Sequence, residues 1–169
     1  MKAVFETERL RLRQFDAGDL DALATLVADE EQMTFYPRPK TRGEASAWID
    51  RNVALYHDDG FGFWCLELSA TAAFVGYCGI RPLELDGVSE IEIGWHTKKT
   101  SWNQGLATEA ASAAQHLAFS RFGLSRLVAV IHPDHIASRR VAEKIGMHVE
   151  KTMVVEEDYR AVIYASERR

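Results

Sequence analysis

Hydrophobic and polar positions alternate with a period of two near the start of the chain and again in its middle. Leu10 and Leu12 alternate with arginines in ERLRLRQF, a pattern typical of a strand with one buried face. Three β-rich runs follow from Gly60: FGFWCLELS, AFVGYCGIRPL and VSEIEIGWHT. Asp86 and Gly87 supply a short turn between the last two. These runs predict an antiparallel meander.

Helical spacing appears in four other segments. Asp16 is placed to cap a helix over LDALATLV, and Thr41 and Glu44 are spaced as a capping box before a second helix. Small and apolar residues recur at helical period over residues 105–122, and again over 136–146. We therefore expect four helices.

The order of these elements predicts the fold class. SRLVAVI and the segments 147–155 and 159–166 add three strands. The result is a single α/β (α+β) domain over residues 1–169, with one mixed, twisted sheet of about seven strands and about four helices packed on both faces. A right-handed crossover would place strands 88–97 and 125–131 side by side and parallel.

Composition narrows the class of protein. The 169 residues are 47% hydrophobic, enough for a core without disulfides or a structural metal. Cys65 and Cys78 lie in apolar runs, as expected for buried thiols in a reducing cytoplasm. We see no signal peptide and no apolar run near the roughly 20 residues that span a bilayer, so we expect a cytoplasmic protein that binds no membrane. A net charge of −5 argues against a nucleic-acid partner.

The segment SWNQGLATEA, residues 101–110, joins a strand to a helix. The first amides of a helix are unpaired and its dipole end is positive, so such a junction attracts anions. Gly105 allows close approach of a ligand, Thr108 adds a hydroxyl, and Lys98 and Lys99 add charge. A phosphate or pyrophosphate would fit, and an ordinary turn with solvated lysines is the alternative. The glycine patterns of Rossmann and Walker loops do not occur here, which disfavours NAD and ATP.

Two longer stretches carry a family resemblance. EIGWHTKKTSWNQGLATEAA together with HPDHIASRRVAEKIGM resembles the GNAT superfamily of N-acetyltransferases, most closely its ribosomal-protein N-terminal acetyltransferase-like branch, and TERLRLRQF fits the same branch. The resemblance covers nearly the whole chain and implies the GNAT fold, with acetyl-CoA between the parallel strands and its pantetheine near Trp95 and Thr97. It implies that main-chain amides hold the pyrophosphate at Trp102, Asn103, Gln104, Gly105, Leu106, Ala107 and Thr108.

Several positions depart from the family pattern. Asn103 replaces a frequent glycine, and His135 stands where an asparagine usually binds the cofactor, although Ser138 of the same motif is retained. The tyrosine that many relatives use as general acid would fall at Ala142. These departures leave a non-catalytic acyl-CoA sensor open as a second hypothesis. A nucleotide-binding regulatory domain stays open as a third, because a helix start that binds phosphate is not specific to coenzyme A. His132 and His135 without further ligands do not predict a metal site.

Acetyl transfer to an amine requires a neutral nucleophile. At pH 7 a lysine-like amine, with a pKa of about 10.4, is neutral in about one molecule in a few thousand, whereas an α-amine near 7.8 is neutral in about one in seven. Glu90 and Glu92 share one face of their strand, so we expect both to reach a cleft. Glu92 matches the glutamate of the branch's EIG motif and is the expected base, acting through water. A solvent-facing strand carboxylate is the alternative for each.

The reaction also requires stabilisation of the thioester carbonyl oxygen and protonation of the thiolate that leaves. A strand-edge amide near Trp95 or Thr97 could stabilise the charge that develops on the carbonyl oxygen. The hydroxyls of Ser138, Tyr159 and Tyr164 are candidates to protonate the departing thiolate, although a core or edge-strand role is the default interpretation for each tyrosine. Ser138 also has the family position.

The sequence indicates less about the acceptor amine than about the acetyl donor. Aromatic residues Phe35, Tyr36, Trp48 and Phe61 lie in regions that shape the acceptor pocket in relatives, although core packing is the default interpretation for each of them. The EED run at 156–158 either attracts a cationic acceptor or forms a hairpin turn. We predict transfer from acetyl-CoA to a primary amine, either a peptide N-terminus or a small molecule. A homodimer and a monomer both stay open.

Overall fold

Eight strands form one sheet in the computed structural model, which describes residues 3–155 and 159–168. In chain order the strands are β1 (Phe5–Glu6), β2 (Leu10–Arg13), β3 (Phe63–Leu68), β4 (Phe74–Leu85), β5 (Val88–Thr97), β6 (Arg126–Ile131), β7 (His148–Val154) and β8 (Arg160–Glu167). Their spatial order is β1-β2-β3-β4-β5-β6-β8-β7. The predicted mixed sheet is confirmed. The additional strand is β1, which is too short to show an alternating pattern.

Four helices accompany the sheet, as predicted: α1 (Leu20–Ala28), α2 (Arg42–Asp58), α3 (Leu106–Ser120) and α4 (Ile136–Lys144). The capping box of α2 is confirmed, because Glu44 N donates to Thr41 Oγ1 at 3.2 Å and Thr41 N donates to Glu44 Oε2 at 2.8 Å. The expectation that Asp16 caps α1 is wrong, since Asp16 caps a 3₁₀ turn at Ala17–Asp19 that precedes it. No helix in the described ranges combines the length and apolar character needed to cross a membrane.

The helices bury both faces of the sheet. On one face, α3 and α4 pack against Trp64, Ile80 and Ile93. On the other face, α1 and α2 pack against Cys65 and Tyr77. Because alternate residues of each strand point to opposite sides, the same short strands supply both cores.

The β4–β5 hairpin sets the relative positions of Arg81 and Glu92. Its two turn residues, Asp86 and Gly87, have φ angles of 56° and 74°, as a tight hairpin turn requires. This turn fixes a register in which Leu85 faces Val88, and further along the hairpin Arg81 faces Glu92. The turn therefore brings a cation and an anion together from adjacent strands.

The pairing of β5 with β6 is the one parallel pairing among the described strands. It was predicted, but its register contains a single pair, Glu92 with Val128. Beyond that pair no further residues of the two strands are in register, and Trp95 on β5 and Ile131 on β6 both line a cavity. The two strands therefore separate towards their C-terminal ends.

A buried ion-pair network ties the turn before α1 to the sheet. The Arg13 guanidinium donates to Asp19 at 2.7 and 2.8 Å and to Glu67 at 2.8 Å, and the three side chains are 10–13% exposed. Burial alone would raise the pKa of Asp19, but hydrogen bonds from Arg13 and from Asp16 N outweigh it and lower that pKa below its ordinary value. The network therefore stabilises the ionised Asp19.

We predict that Arg13→Gln lowers the free energy of unfolding by about 3 kcal/mol at pH 7, because it leaves two carboxylates buried without their partner. The matched control is Arg11→Gln. Arg11 pairs with the exposed Glu6 at 3.1 Å, so its loss should cost less than about 1 kcal/mol. Urea denaturation of both variants measures the difference.

The effect of Arg13→Gln should also depend on pH. The folded-state pKa of Asp19 lies below its unfolded value, so its stabilisation is present above the unfolded value of about 3.9 and disappears as the pH falls through the folded one. The difference in the free energy of unfolding between wild type and Arg13→Gln should therefore become smaller below about pH 4. A difference in unfolding free energy that stays constant from pH 7 to pH 3 would contradict this account.

Candidate active site

A cavity of about 570 Å³ opens where β5 and β6 separate. Its walls come from the ends of these strands, from α2 and from the loop at residues 29–41, which we call the roof loop. The volume lies in the range typical of small-molecule sites. Its polar and aromatic lining includes Phe35, Tyr36, Trp48, Phe63, Tyr77, Arg81, Glu92, Trp95, His132, His135, Ser138 and Tyr159.

Glu92 lies at the point where the strands begin to separate. Its side chain is 13% exposed, and its Oε2 accepts a hydrogen bond from Arg81 Nε at 2.5 Å. Its Oε1 accepts no hydrogen bond from any residue in the described ranges. One carboxylate oxygen is therefore available to a ligand in the cavity.

Glu90 does not share this cavity. It accepts hydrogen bonds from Arg126 Nε at 3.1 and 3.2 Å, beside a separate groove next to the β4–β5 hairpin. The expectation that Glu90 and Glu92 reach one cleft is wrong. Strand alternation does place them on one face, but two residues also separate them by roughly 7 Å along the strand, which moves Glu90 away from the opening.

Trp95 and Ser138 meet across the gap between the strands. The Trp95 indole Nε1 donates to Ser138 Oγ at 3.1 Å, and both residues line the cavity. Because a serine hydroxyl both accepts and donates, this contact leaves the Ser138 proton free to be donated elsewhere.

The two tyrosine candidates differ in position. Tyr159 lines the cavity, and its hydroxyl donates to the Phe35 carbonyl at 3.0 Å. Tyr164 is fully buried and lies outside the cavity lining. Its hydroxyl accepts from Arg139 Nε at 3.1 Å and donates to Glu143 at 3.0 Å. The suggestion that Tyr164 protonates a leaving group is therefore wrong.

His135 faces the cavity from the start of α4. Its ring stacks on Phe35, with centroids 4.3 Å apart, and His132 lies 5.6 Å from the same Phe35 ring. Burial, and then the nearby charge of His132, lower the pKa of His135, which favours a neutral imidazole. Within the described ranges, no three His, Cys, Asp or Glu side chains converge to hold a metal ion.

Sequence reasoning missed a buried group beside the cavity. The His96 ring stacks on that of Tyr36 with centroids 5.2 Å apart, and its Nδ1 lies 3.3 Å from the Tyr77 hydroxyl. Burial, and then the charge of His135, lower the pKa of His96 to about 4. The signal was available, because strand alternation places His96 on the same face of β5 as Glu92.

The aromatic residues expected around an acceptor divide into two groups. Phe35, Tyr36 and Trp48 line the cavity. Phe61 packs in the core on the other side of the sheet, as the core-packing interpretation predicts. The EED run at 156–158 lies outside the described residues.

The roof loop is bound on both sides of the opening. At the end of β5, Lys99 N donates to Gln32 Oε1 at 2.7 Å. On the other side, the Phe35 carbonyl accepts the hydrogen bond from Tyr159 at the start of β8. The loop therefore spans the gap and covers the cavity.

A second feature lies at the start of α3. Asn103 and Gly105 have left-handed φ angles of 58° and 76°, and the first main-chain bond of the helix runs from Glu109 N to Gly105 O at 3.0 Å. The amides before Glu109 have no partner within the helix. Arg9 Nη1 donates to the Gln104 carbonyl at 2.8 Å and supports this turn.

The side chains of this segment point in different directions. Leu106 is buried in the core, and the exposed Trp102 donates its indole N–H to the Thr97 carbonyl at 2.8 Å, so that carbonyl is already paired. Ala107 and Thr108 are half-buried. The helix start therefore presents mainly main-chain amides, which fit an anion such as a diphosphate. Residues 102–108 do not line the cavity.

Comparison with known proteins gives a consistent result. Residues 9–148 match the family model described as an acetyltransferase (GNAT) domain. The chain is similar to the uncharacterized protein YkkB of Bacillus subtilis, with 35% identity over 153 residues that cover 90% of this chain and 89% of that protein. It is also similar to the crystal structure of an acetyltransferase from Agrobacterium tumefaciens, with a TM-score of 0.86, 25% identity and coverage of 99% and 95%.

A further structure shares the fold at lower identity. It is RimL, a ribosomal L7/L12 alpha-N-protein acetyltransferase in complex with coenzyme A. Its TM-score is 0.79, with 19% identity and 98% of each chain covered. The expected GNAT fold is therefore confirmed.

We predict that Tyr159→Phe loosens the roof loop, because it removes the hydrogen bond to the Phe35 carbonyl. Hydrogen exchange of the amides in residues 29–41 should become several-fold faster. The control is Tyr164→Phe, which removes a hydroxyl bonded to α4 instead. Equal exchange in this loop for the two variants would show that Tyr159 does not hold it.

Proposed function

Because this chain belongs to the GNAT acetyltransferase family and is therefore an acetyl-CoA-dependent acyltransferase, we propose that it acetylates a primary amine bound in the cavity under the roof loop. The observation that carries this proposal is the position of Glu92. Its carboxylate faces the cavity at the separation of β5 and β6, with one oxygen available.

Two features support binding of acetyl-CoA beside this cavity. The separating strands leave edge amides and carbonyls without a strand partner, and such groups can pair with the amides of a pantetheine arm near Trp95. The start of α3 offers the amides of residues 102–108 to the pyrophosphate. His135 and Ser138 lie on the α4 side of the same opening.

Glu92 acts in this proposal as the base. Most amines are protonated at pH 7, so the acceptor must lose a proton before it attacks. Oε1 of Glu92 accepts that proton, directly or through one water, while Arg81 holds Oε2. The amine nitrogen then forms a bond to the acetyl carbon.

Ser138 acts in this proposal as the proton donor. As the carbon–sulfur bond breaks, the thiolate of coenzyme A gains the Ser138 hydroxyl proton, and the serine regains a proton that the acetylated nitrogen loses. The Trp95 indole donates to the same oxygen and so stabilises the charge that develops on it. The products are the amide and the free thiol.

We predict that Glu92→Gln lowers kcat at neutral pH by about 10²- to 10⁴-fold and leaves acetyl-CoA affinity within about twofold. Release of free thiol from acetyl-CoA measures turnover, and calorimetry measures affinity. The loss should shrink at high pH, where the acceptor amine is already neutral. The matched control is Glu90→Gln, two residues away on the same strand face but outside the cavity.

Three other outcomes would count against this account. Equal turnover by wild type and Glu92→Gln at every pH would remove Glu92 from the mechanism. Equal losses for Glu90→Gln and Glu92→Gln would point to damage to the strand. Acetyl-CoA binding without thiol release for any amine would favour the sensor hypothesis.

We further predict that Gly105→Ala weakens acetyl-CoA binding about tenfold, because the added methyl group disfavours the left-handed backbone that sets the first amides of α3. The control is Gly87→Ala in the β4–β5 turn, which has a similar φ of 74° and open space around it. Both variants should lose about 1 kcal/mol of stability. Calorimetry should separate them, and equal affinities would contradict the assignment of the pyrophosphate to this turn.

A further inference from the structure

The charged side chains in the cavity are unevenly balanced. Lys40, Arg51 and Arg81 line it, with Glu44 and Glu92 as the acidic residues. Both carboxylates already have cationic partners, since Glu44 pairs with Arg38 at 2.5 Å and Glu92 pairs with Arg81. No carboxylate in the described ranges lies within ion-pair distance of Lys40 or Arg51. Among the described residues, the cavity lining therefore has a surplus of positive charge, in a protein whose net charge is −5.

Arg81 has unused hydrogen-bonding capacity. Its Nε donates to Glu92, whereas Nη1 and Nη2 donate to no group in the described ranges, and its side chain is 44% exposed. A guanidinium with two free nitrogens binds a carboxylate through paired hydrogen bonds. An acceptor with a carboxylate would complete this arrangement.

The two charges of the Glu92 and Arg81 pair are adjacent, with 2.5 Å between Oε2 and Nε. A ligand that contacts both must carry its own opposite charges equally close together. In an α-amino acid one carbon separates the ammonium from the carboxylate. Such a zwitterion puts its ammonium on Glu92 Oε1 and its carboxylate on the Arg81 Nη atoms, and it adds no net charge to the cavity.

The uncharged wall of the cavity indicates the side chain of this ligand. The ring centroid of Trp48 lies 4.9 Å from that of Tyr77 and 5.7 Å from that of Phe63, and Tyr36 lines the same cavity. These rings offer an apolar surface beside the charged pair. Their position suits an aliphatic or aromatic side chain.

We infer that the acceptor is a free α-amino acid with an apolar side chain, held by Glu92 at its amine and by Arg81 at its carboxylate. This inference rests on the proposed function and specifies its substrate class. A polyamine or aminoglycoside would bring further positive charges to a cavity in which each lining carboxylate of the described residues already pairs with a cation. A peptide N-terminus would offer a neutral carbonyl in place of the carboxylate and would have to pass the roof loop.

The test compares acceptors that differ only in the carboxylate: L-leucine, L-leucinamide and isopentylamine, and likewise L-phenylalanine and its amide. Thiol release from saturating acetyl-CoA gives kcat/KM for each, expressed per concentration of neutral amine. The free amino acids should exceed their amides by about 10- to 100-fold, as expected for one charge-assisted pair. Putrescine and a tripeptide serve as the competing acceptor classes.

Variants of Arg81 test the contact itself. In Arg81→Gln the ratio of leucine to leucinamide should fall at least tenfold, whatever loss the two acceptors share, and Arg81→Lys should restore part of it. Arg11→Gln removes an equivalent strand arginine far from the cavity and should leave the ratio unchanged. Thermal unfolding and acetyl-CoA calorimetry confirm that each variant is folded.

The outcomes separate this inference from the proposed function. Turnover of amides or of the tripeptide without preference for free amino acids overturns the inference and leaves the amine acetyltransferase standing. A leucine preference that survives Arg81→Gln also overturns it, because another group then binds the carboxylate. Acetyl-CoA binding with no thiol release for any amine overturns both.

Discussion

The separation of β5 from β6 is the constraint on which the rest of the site depends. Two parallel strands that meet at a single registered pair leave main-chain groups unpaired in the middle of a sheet, a costly arrangement unless a ligand or another element satisfies them. The surrounding elements hold the gap in place. Trp95 reaches across it to Ser138, and the roof loop spans it from Lys99 to Tyr159. The cavity is thus a direct consequence of how β5 and β6 are arranged in the sheet.

The chemistry of the cavity depends on compensation of charge. A carboxylate that is only 13% exposed would be unfavourable alone, and Arg81 offsets that cost from the neighbouring strand. Burial also lowers the pKa values of His96 and His135, which favours the neutral form of both imidazoles. Glu92 and Arg81 therefore form a charged pair beside neutral imidazoles and aromatic rings. A ligand with complementary charges gains most there.

Local pattern predicted much of the fold, because alternation and capping are local. The Thr41 capping box and the strands of the meander have the predicted positions. The two-residue turn at 86–87 also fixes the register that sets Arg81 opposite Glu92, although this pair was not predicted from the sequence. Alternation, however, gives the face of a strand and not the distance along it, which is why Glu90 was misplaced.

The remaining errors concern tertiary contacts. Tyr159 and Tyr164 lie five residues apart, an odd spacing that puts them on opposite faces of the sheet, Tyr164 in the core under α3 and α4 and Tyr159 on the other face. Which of these faces opens to the cavity depends on tertiary contacts, among them the hydrogen bond from Tyr159 to the roof loop. The cavity and the proposed pyrophosphate site are built by separate segments: residues 102–108 do not line the cavity, and the roof loop and α2 supply much of its wall. Substitutions in that wall can therefore accumulate without disturbing the helix start, so evolution can retune the acceptor while inheriting the acetyl donor unchanged.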